Sequence, residues 1–229
     1  MTEVVAHWPF ERHTLPAGEV WHTYRTIYGP LSANPWCDTR FALAGAPGEP
    51  NRRPAFYCAS GSTGAIWEVV LRNVRPNAHN EVYVAPAELA GRSVARLRLR
   101  RDLTDIVRVD PPHRRRFVDA DTVEDLAWET ACTHSVHALS QGMAAGLDRF
   151  LAAHGVTLGG LGWHSRQYQD DLVHVLFAPP LAEDDWEVLE EIPLDSPAGL
   201  ALVRAAVEAA GYRWIVPPLD APNEPELPA

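Results

Sequence analysis

The sequence predicts an α+β fold, with strands and helices segregated rather than alternating. Strand-like and helical patterns come in separate blocks without regular strand–helix repetition, and no Gly-x-Gly-x-x-Gly follows a strand, which removes a Rossmann dinucleotide site. A hydrophobic fraction of 46% in 229 residues supplies enough apolar surface for a packed core without disulfide staples.

The first 60 residues are rich in Pro, Gly and aromatics and read as short strands with loops, including 20–28 (VWHTYRTIY) and 54–59 (PAFYCA). The period then changes. Residues 65–74 read as a helix ended by Pro76, with N-cap candidates in Ser60-Gly61-Ser62-Thr63. Strand patterns return at 81–84 and 93–109, the second alternating apolar residues with Arg in SVARLRLRR. Two helices are expected at 122–133 and 135–154, the latter stopped by Gly155 in a C-cap. A strand, 156–165 (VTLGGLGWHS), leads through the polar loop RQYQDD into the apolar run 172–177 (LVHVLF). Beyond Pro179 come an acidic stretch, a helix over 197–210 and a short strand, 212–216. This divides the chain into a main domain, 1–180, a segment packed on it, 181–216, and a Pro- and Glu-rich tail, 217–229, expected to be disordered.

Composition narrows the chemistry. All 20 basic residues are Arg, which removes a Walker A lysine, a pyridoxal-phosphate Schiff base and any lysine nucleophile. Anion binding falls to guanidinium groups, whose fork suits phosphates. The net charge of −10 argues against nonspecific nucleic-acid binding. Cys37, Cys58 and Cys132 are odd in number and widely spaced, which fits a reducing cytoplasm. The amino terminus, MTEVVAHWPFERH, lacks a signal-peptide pattern, and no stretch is long and apolar enough to span a bilayer.

Cys132, His134, His137, His164 and His174 match no zinc spacing, so no metal is expected. Ser165 beside His164 lacks the Gly-x-Ser-x-Gly elbow of a serine hydrolase. Residues 92–116 hold nine of the 20 Arg; alternation with Leu suggests the solvated face of a strand, while Arg114 to Arg116 offer a loop for an acidic partner. Glu68 and Arg72, at i,i+4 opposite an apolar arc, read by periodicity as a surface salt bridge worth about 0.5 kcal/mol.

The order of residues adds a second reading of Glu68. Arg25 in TYRTIY, Arg40 in DTRFA, Tyr57 in FYCAS, helical Glu68 and Ser165 in GLGWHS together resemble the RES domain, over roughly residues 20–180. Two positions depart from the family pattern: Asp38-Thr39-Arg40-Phe41 stands for Gly-Gly-Arg-Trp, and Val173 stands where Asn is frequent. The resemblance implies an ADP-ribosyltransferase-like fold and a cytoplasmic toxin that degrades NAD. NAD is then substrate rather than cofactor, cleaved between nicotinamide and ribose by hydrolysis or phosphorolysis. Transfer of ADP-ribose to a protein, and nucleotide binding without catalysis, remain as alternatives. It further implies an Xre-type antitoxin as partner, and it leaves a homodimer open. Glu68, Arg25 and Ser165 are the implied catalytic residues, with Arg25, Arg40, Tyr57 and Ser165 binding NAD.

Overall fold

The computed structural model describes residues 12–36, 39–45, 50–133 and 137–215. The expected tail, 217–229, lies outside these residues, as do Cys37, Asp38, His134 and Ser135. One sheet of eight strands organises the fold: β1 (Arg12–Leu15), β2 (Gly18–Arg25), β3 (Ala55–Ala59), β5 (Arg92–Leu99), β6 (Leu103–Arg108), β7 (Gly160–His164), β8 (Leu172–Phe177) and β9 (Trp186–Pro193). Their order is β1-β6-β7-β8-β3-β2-β5-β9, with the β6–β7 pair parallel and the other ladders antiparallel. A small parallel ribbon joins β4 (Glu81–Val82) to β10 (Arg213–Trp214). The helices are α1 (Ser62–Val69), α2 (Pro86–Leu89), α3 (Pro111–Arg114), α4 (Val123–Thr133), α5 (Ala138–Ala153) and α6 (Pro197–Ala209). Among the described residues no helix is long and apolar enough to cross a membrane.

The sheet curls on itself. Leu97 and Leu99 of β5 share one core with Leu103 and Ile106 of β6, although four strands separate β5 from β6 in the sheet. Curling follows from strand twist, and it lets one face close over its own apolar side chains. The opposite face is covered by helices: Val173, Val175 and Phe177 of β8 pack with Ala144, Leu147 and Leu151 of α5 and Trp128 of α4. Ile66 and Trp67 of α1 pack with Val203, Ala206 and Val207 of α6, where the Trp67 indole donates to the Ala206 carbonyl at 2.8 Å.

The expected strand 93–109 is in fact two strands that do not pair with each other. β5 joins β2 and β9, whereas β6 joins β1 and β7. Arg100-Arg101-Asp102 breaks it, because three consecutive polar residues leave nothing to bury; Arg101 grips Asp185 and Asp102 accepts from the Ala17 amide. The Arg–Leu alternation behaves as expected. Leu97 and Leu99 are buried, while Arg96 and Arg98 form exposed pairs with Glu19, Glu187 and Glu190. Arg114, by contrast, is no loop residue free for a partner: it is buried and bound to Asp125 at 2.6 Å.

The acidic stretch past Pro179 contains β9, an edge strand of the main sheet, and α6 packs on α1, so residues after 180 complete the architecture around the site. Gly155 does end α5, with φ of 75°, while the Gly155 and Val156 amides bond the Ala152 and Leu151 carbonyls. That is a Schellman cap, which needs a residue tolerant of the left-handed conformation.

Two buried histidines make stability pH-dependent. Burial lowers His22 and His174 from 6.5 to about 4, with Arg108 adding to the effect at His174 and the Tyr57 carbonyl partly opposing it at His22. The folded chain therefore keeps both rings neutral while the unfolded chain takes up protons between these values. The stabilisation is present in full above pH 6.5 and is lost as pH falls toward about 4, by up to roughly 3 kcal/mol per ring. Urea midpoints measured from pH 7 to 4 should fall through this window. His22→Asn, which keeps an N–H for the Tyr57 carbonyl, should remove about half the slope; an unchanged slope would show that His22 is not responsible.

Candidate functional site

A cavity of about 890 Å³ opens where β2, β3 and α1 meet residues 29–36 and 39–40. Four guanidinium groups, Arg25, Arg40, Arg72 and Arg92, and one carboxylate, Glu68, are among its lining side chains. A cationic recess in a chain of net charge −10 is a local departure that selects anions. Ala59, Ala65, Trp163 and Val173 give it an apolar floor, in which charge interactions are stronger than in water.

Glu68 enters this cavity because both ends of α1 are fixed by distant chain. No side chain from Ser60-Gly61-Ser62-Thr63 caps the helix; Gly61 is the N-cap. The cap comes from Asp171 after the late loop, whose carboxylate accepts from the Gly64 amide at 2.6 Å and from the Ser60 hydroxyl at 3.0 Å. The helix then ends at Val69, earlier than the expected Val74, and Leu71 bonds back to the Ile66 carbonyl in a wider turn. Trp67 anchors the buried side on α6, leaving Glu68 half-buried and facing the cavity.

Ser165 is fully buried and is not among the lining residues; it stands behind Glu68. Its hydroxyl donates to Glu68 Oε1 at 2.7 Å and accepts from the Gln167 and Tyr168 amides at 3.2 and 3.1 Å. A hydroxyl has one proton and two lone pairs, so with both lone pairs engaged its proton is committed to the carboxylate. His164 points elsewhere, exposed and bonded to the Gln169 carbonyl. Ser165→Ala should leave two backbone amides without an acceptor and release one oxygen of Glu68. We expect about 1–2 kcal/mol of lost stability in denaturant titration.

Arg40 is almost wholly buried, and burial lowers its pKa while the charge of Glu68 raises it. Its peptide is pinned: the Tyr57 hydroxyl donates to the Arg40 carbonyl at 2.7 Å, and Gln141 donates to the Thr39 carbonyl at 3.1 Å. Phe41 adopts φ of 61°, an uncommon left-handed conformation held by burial against Trp163 and Trp128. Tyr57 is half-buried in β3 with its ring on the cavity wall. Arg25 ends β2, exposed at the cavity opening, opposite Arg92 in register on β5.

The structure thus brings Arg25, Arg40, Tyr57 and Glu68 to one cavity, with Ser165 behind Glu68. The surface salt bridge read from i,i+4 spacing is not present. Arg72 donates to His137 Nε2 at 2.7 Å, and both Glu68 and Arg72 line the cavity. Arg72 as a lining residue was signalled by its shared stripe with Glu68; Arg92 and the Asp171 cap had no sequence signal. Among the described residues no three His, Cys, Asp or Glu side chains cluster to hold a metal ion.

No family model matches the chain, and no curated protein matches it. Among solved structures, the M. tuberculosis MbcT–MbcA toxin–antitoxin complex contains a chain that aligns at a TM-score of 0.57 and 15% identity, over 84% of this chain and 92% of that one. At this identity the likeness speaks for the fold alone, the mixed α+β architecture that the two chains share.

Proposed function

We propose that this chain is a toxin that degrades NAD by breaking the bond between nicotinamide and ribose. One observation carries the reading: a carboxylate held by a buried serine faces a cavity whose other charged lining groups are guanidiniums. Nicotinamide leaves NAD as a neutral molecule from a cationic pyridinium, so its departure needs no general acid. The ribose becomes oxocarbenium-like, and a fixed carboxylate beside it stabilises that charge. Glu68 has this role, with Ser165 as the residue that positions it.

Arg25 and Arg40 hold the diphosphate through charge-assisted hydrogen bonds. Arg72 and Arg92 add to the same field. Tyr57 supplies a flat wall for nicotinamide, and its hydroxyl, bonded to the Arg40 carbonyl, couples that wall to the anion-binding turn. Val173, at the position where the resembling family often has Asn, makes the floor apolar there.

The acceptor is water or phosphate. The neighbouring solved structure is a toxin–antitoxin complex, which supports an antitoxin partner for this chain as well. Incubating purified protein with NAD, with and without inorganic phosphate, and separating the products by chromatography tests the reading. Free nicotinamide is expected, accompanied by ADP-ribose or its phosphorylated form. Intact NAD throughout, or ADP-ribose attached to protein, would overturn it.

A further inference from the structure

Large apolar side chains are normally withdrawn from water, yet Ile27, Tyr28 and Trp36 are 79%, 61% and 68% exposed within ten residues of chain. Tyr28 and Trp36 both line the cavity, and their exposure places them at its mouth. The segment that carries them is tied down. Thr26 donates its amide to the Gly91 carbonyl at 2.9 Å, Gly29 bonds back to Thr26 at 3.2 Å, and the Ser32 hydroxyl donates to the Tyr28 carbonyl at 2.5 Å. Asn34 bridges to Ala55 of β3, and its side chain accepts from the Trp36 amide at 2.9 Å. Gly29, with φ of 76°, makes the turn between the two aromatics. Two rings are therefore held over the opening at little entropic cost on binding.

Charge gives the order of what would lie beneath them. Arg25 and Arg92, paired in register at the ends of β2 and β5, project from the same side of the sheet and line the cavity. Glu68 and Arg40 lie deeper. From floor to mouth the cavity offers a carboxylate for a ribose, guanidiniums for a diphosphate, and then two exposed aromatic faces. That sequence matches one end-to-end ligand.

We infer that Tyr28 and Trp36 form a stacking site for the second base of the dinucleotide, the adenine ring, and so make the enzyme selective for the dinucleotide over its nicotinamide-bearing half. This rests on the proposed cleavage of NAD. A purine offers a π-face to each ring, and loss of one such contact weakens binding by roughly ten- to hundred-fold.

The test measures nicotinamide release from NAD and from nicotinamide mononucleotide by the full chain and by a Tyr28→Ala, Trp36→Ala double variant. Calorimetric titration with ADP-ribose and with ribose 5-phosphate accompanies it. The ratio of kcat/KM for NAD over the mononucleotide should fall by roughly ten- to hundred-fold, through KM, while the Tyr28→Phe, Trp36→Phe variant keeps the ratio. ADP-ribose affinity should fall in parallel, with ribose 5-phosphate unaffected. An unchanged ratio, or equal weakening toward both substrates, overturns the stacking site. If the unaltered chain releases nicotinamide from neither substrate, the cleavage reading fails by itself, and the titrations decide the stacking site. Weaker ADP-ribose binding by the double variant supports it. Unaltered or absent ADP-ribose binding overturns it.

Discussion

Replacing Glu68 by Gln should lower kcat for nicotinamide release by about 10²- to 10³-fold, corresponding to roughly 3–4 kcal/mol of lost transition-state stabilisation. Gln keeps the shape of Glu and can still accept the proton of Ser165, so the site retains its geometry while losing one negative charge. The effect should fall on kcat, because positive charge develops on the ribose only as nicotinamide departs. KM should stay level or fall, since the diphosphate no longer meets a carboxylate among the guanidiniums. Stability should change little: Glu68 is half-buried, and among the described residues its hydrogen-bond partner is Ser165. Steady-state kinetics with a thermal melt on the same preparation checks both parts. Full turnover by Glu68→Gln would remove Glu68 from the chemistry.

Gly64→Ala should cost both stability and activity, although Gly64 does not itself line the cavity. A Cβ at Gly64 would sit 2.6 Å from Asp171 Cβ and 2.8 Å from its Oδ2, which is closer than carbon and oxygen tolerate. Either α1 shifts or Asp171 is pushed out. Expulsion also breaks the 2.6 Å bond from the Gly64 amide and leaves the helix start without its acceptor. Loss of a cap costs about 0.5–2 kcal/mol and crowding about 1–3 kcal/mol, so a combined loss of roughly 2–4 kcal/mol is expected. For a chain of this size that lowers Tm by roughly 5–15 °C. Glu68 lies one turn further along α1, so activity should fall at temperatures where the variant remains folded. Gly64→Ala with wild-type melting and turnover would show that the loop yields without cost. Asp171→Asn, which keeps the side-chain oxygen and volume, should be far milder.

The two variants probe different layers. Glu68 acts on the substrate, whereas Asp171 and Ser165 act on Glu68, from opposite ends of one loop. The Ser165 amide donates to the Asp171 carbonyl at 2.9 Å, closing that loop so that the helix cap and the positioning hydroxyl move together. A change that opens the loop therefore loses both at once.

Much of the fold was legible because it rests on local patterns. The apolar run at β8, the arc of α6 behind Pro197 and the stop at Gly155 are decided by period, by a missing amide hydrogen and by a left-handed turn, each within a few residues. The split of 93–109 was not legible, since an alternating pattern is the same whether a strand continues or leaves one side of a curled sheet for the other. Nor was the cap of α1, because the nearby serines and threonine satisfied every local rule while the acceptor came from Asp171.

The sequence alone determined an α+β chain, an anion chemistry confined to Arg, and an ordered set of Arg25, Arg40, Tyr57, Glu68 and Ser165 worth testing together. Periodicity placed Glu68 on a polar stripe and went no further, because a helical wheel shows which residues share a face but not what that face meets. Tertiary structure decided that the stripe looks into a cavity. It did so through contacts between residues far apart in the chain, with Ser165 on Glu68 across 97 positions and Trp67 on Ala206 across 139. Such contacts depend on the packing of the whole sheet.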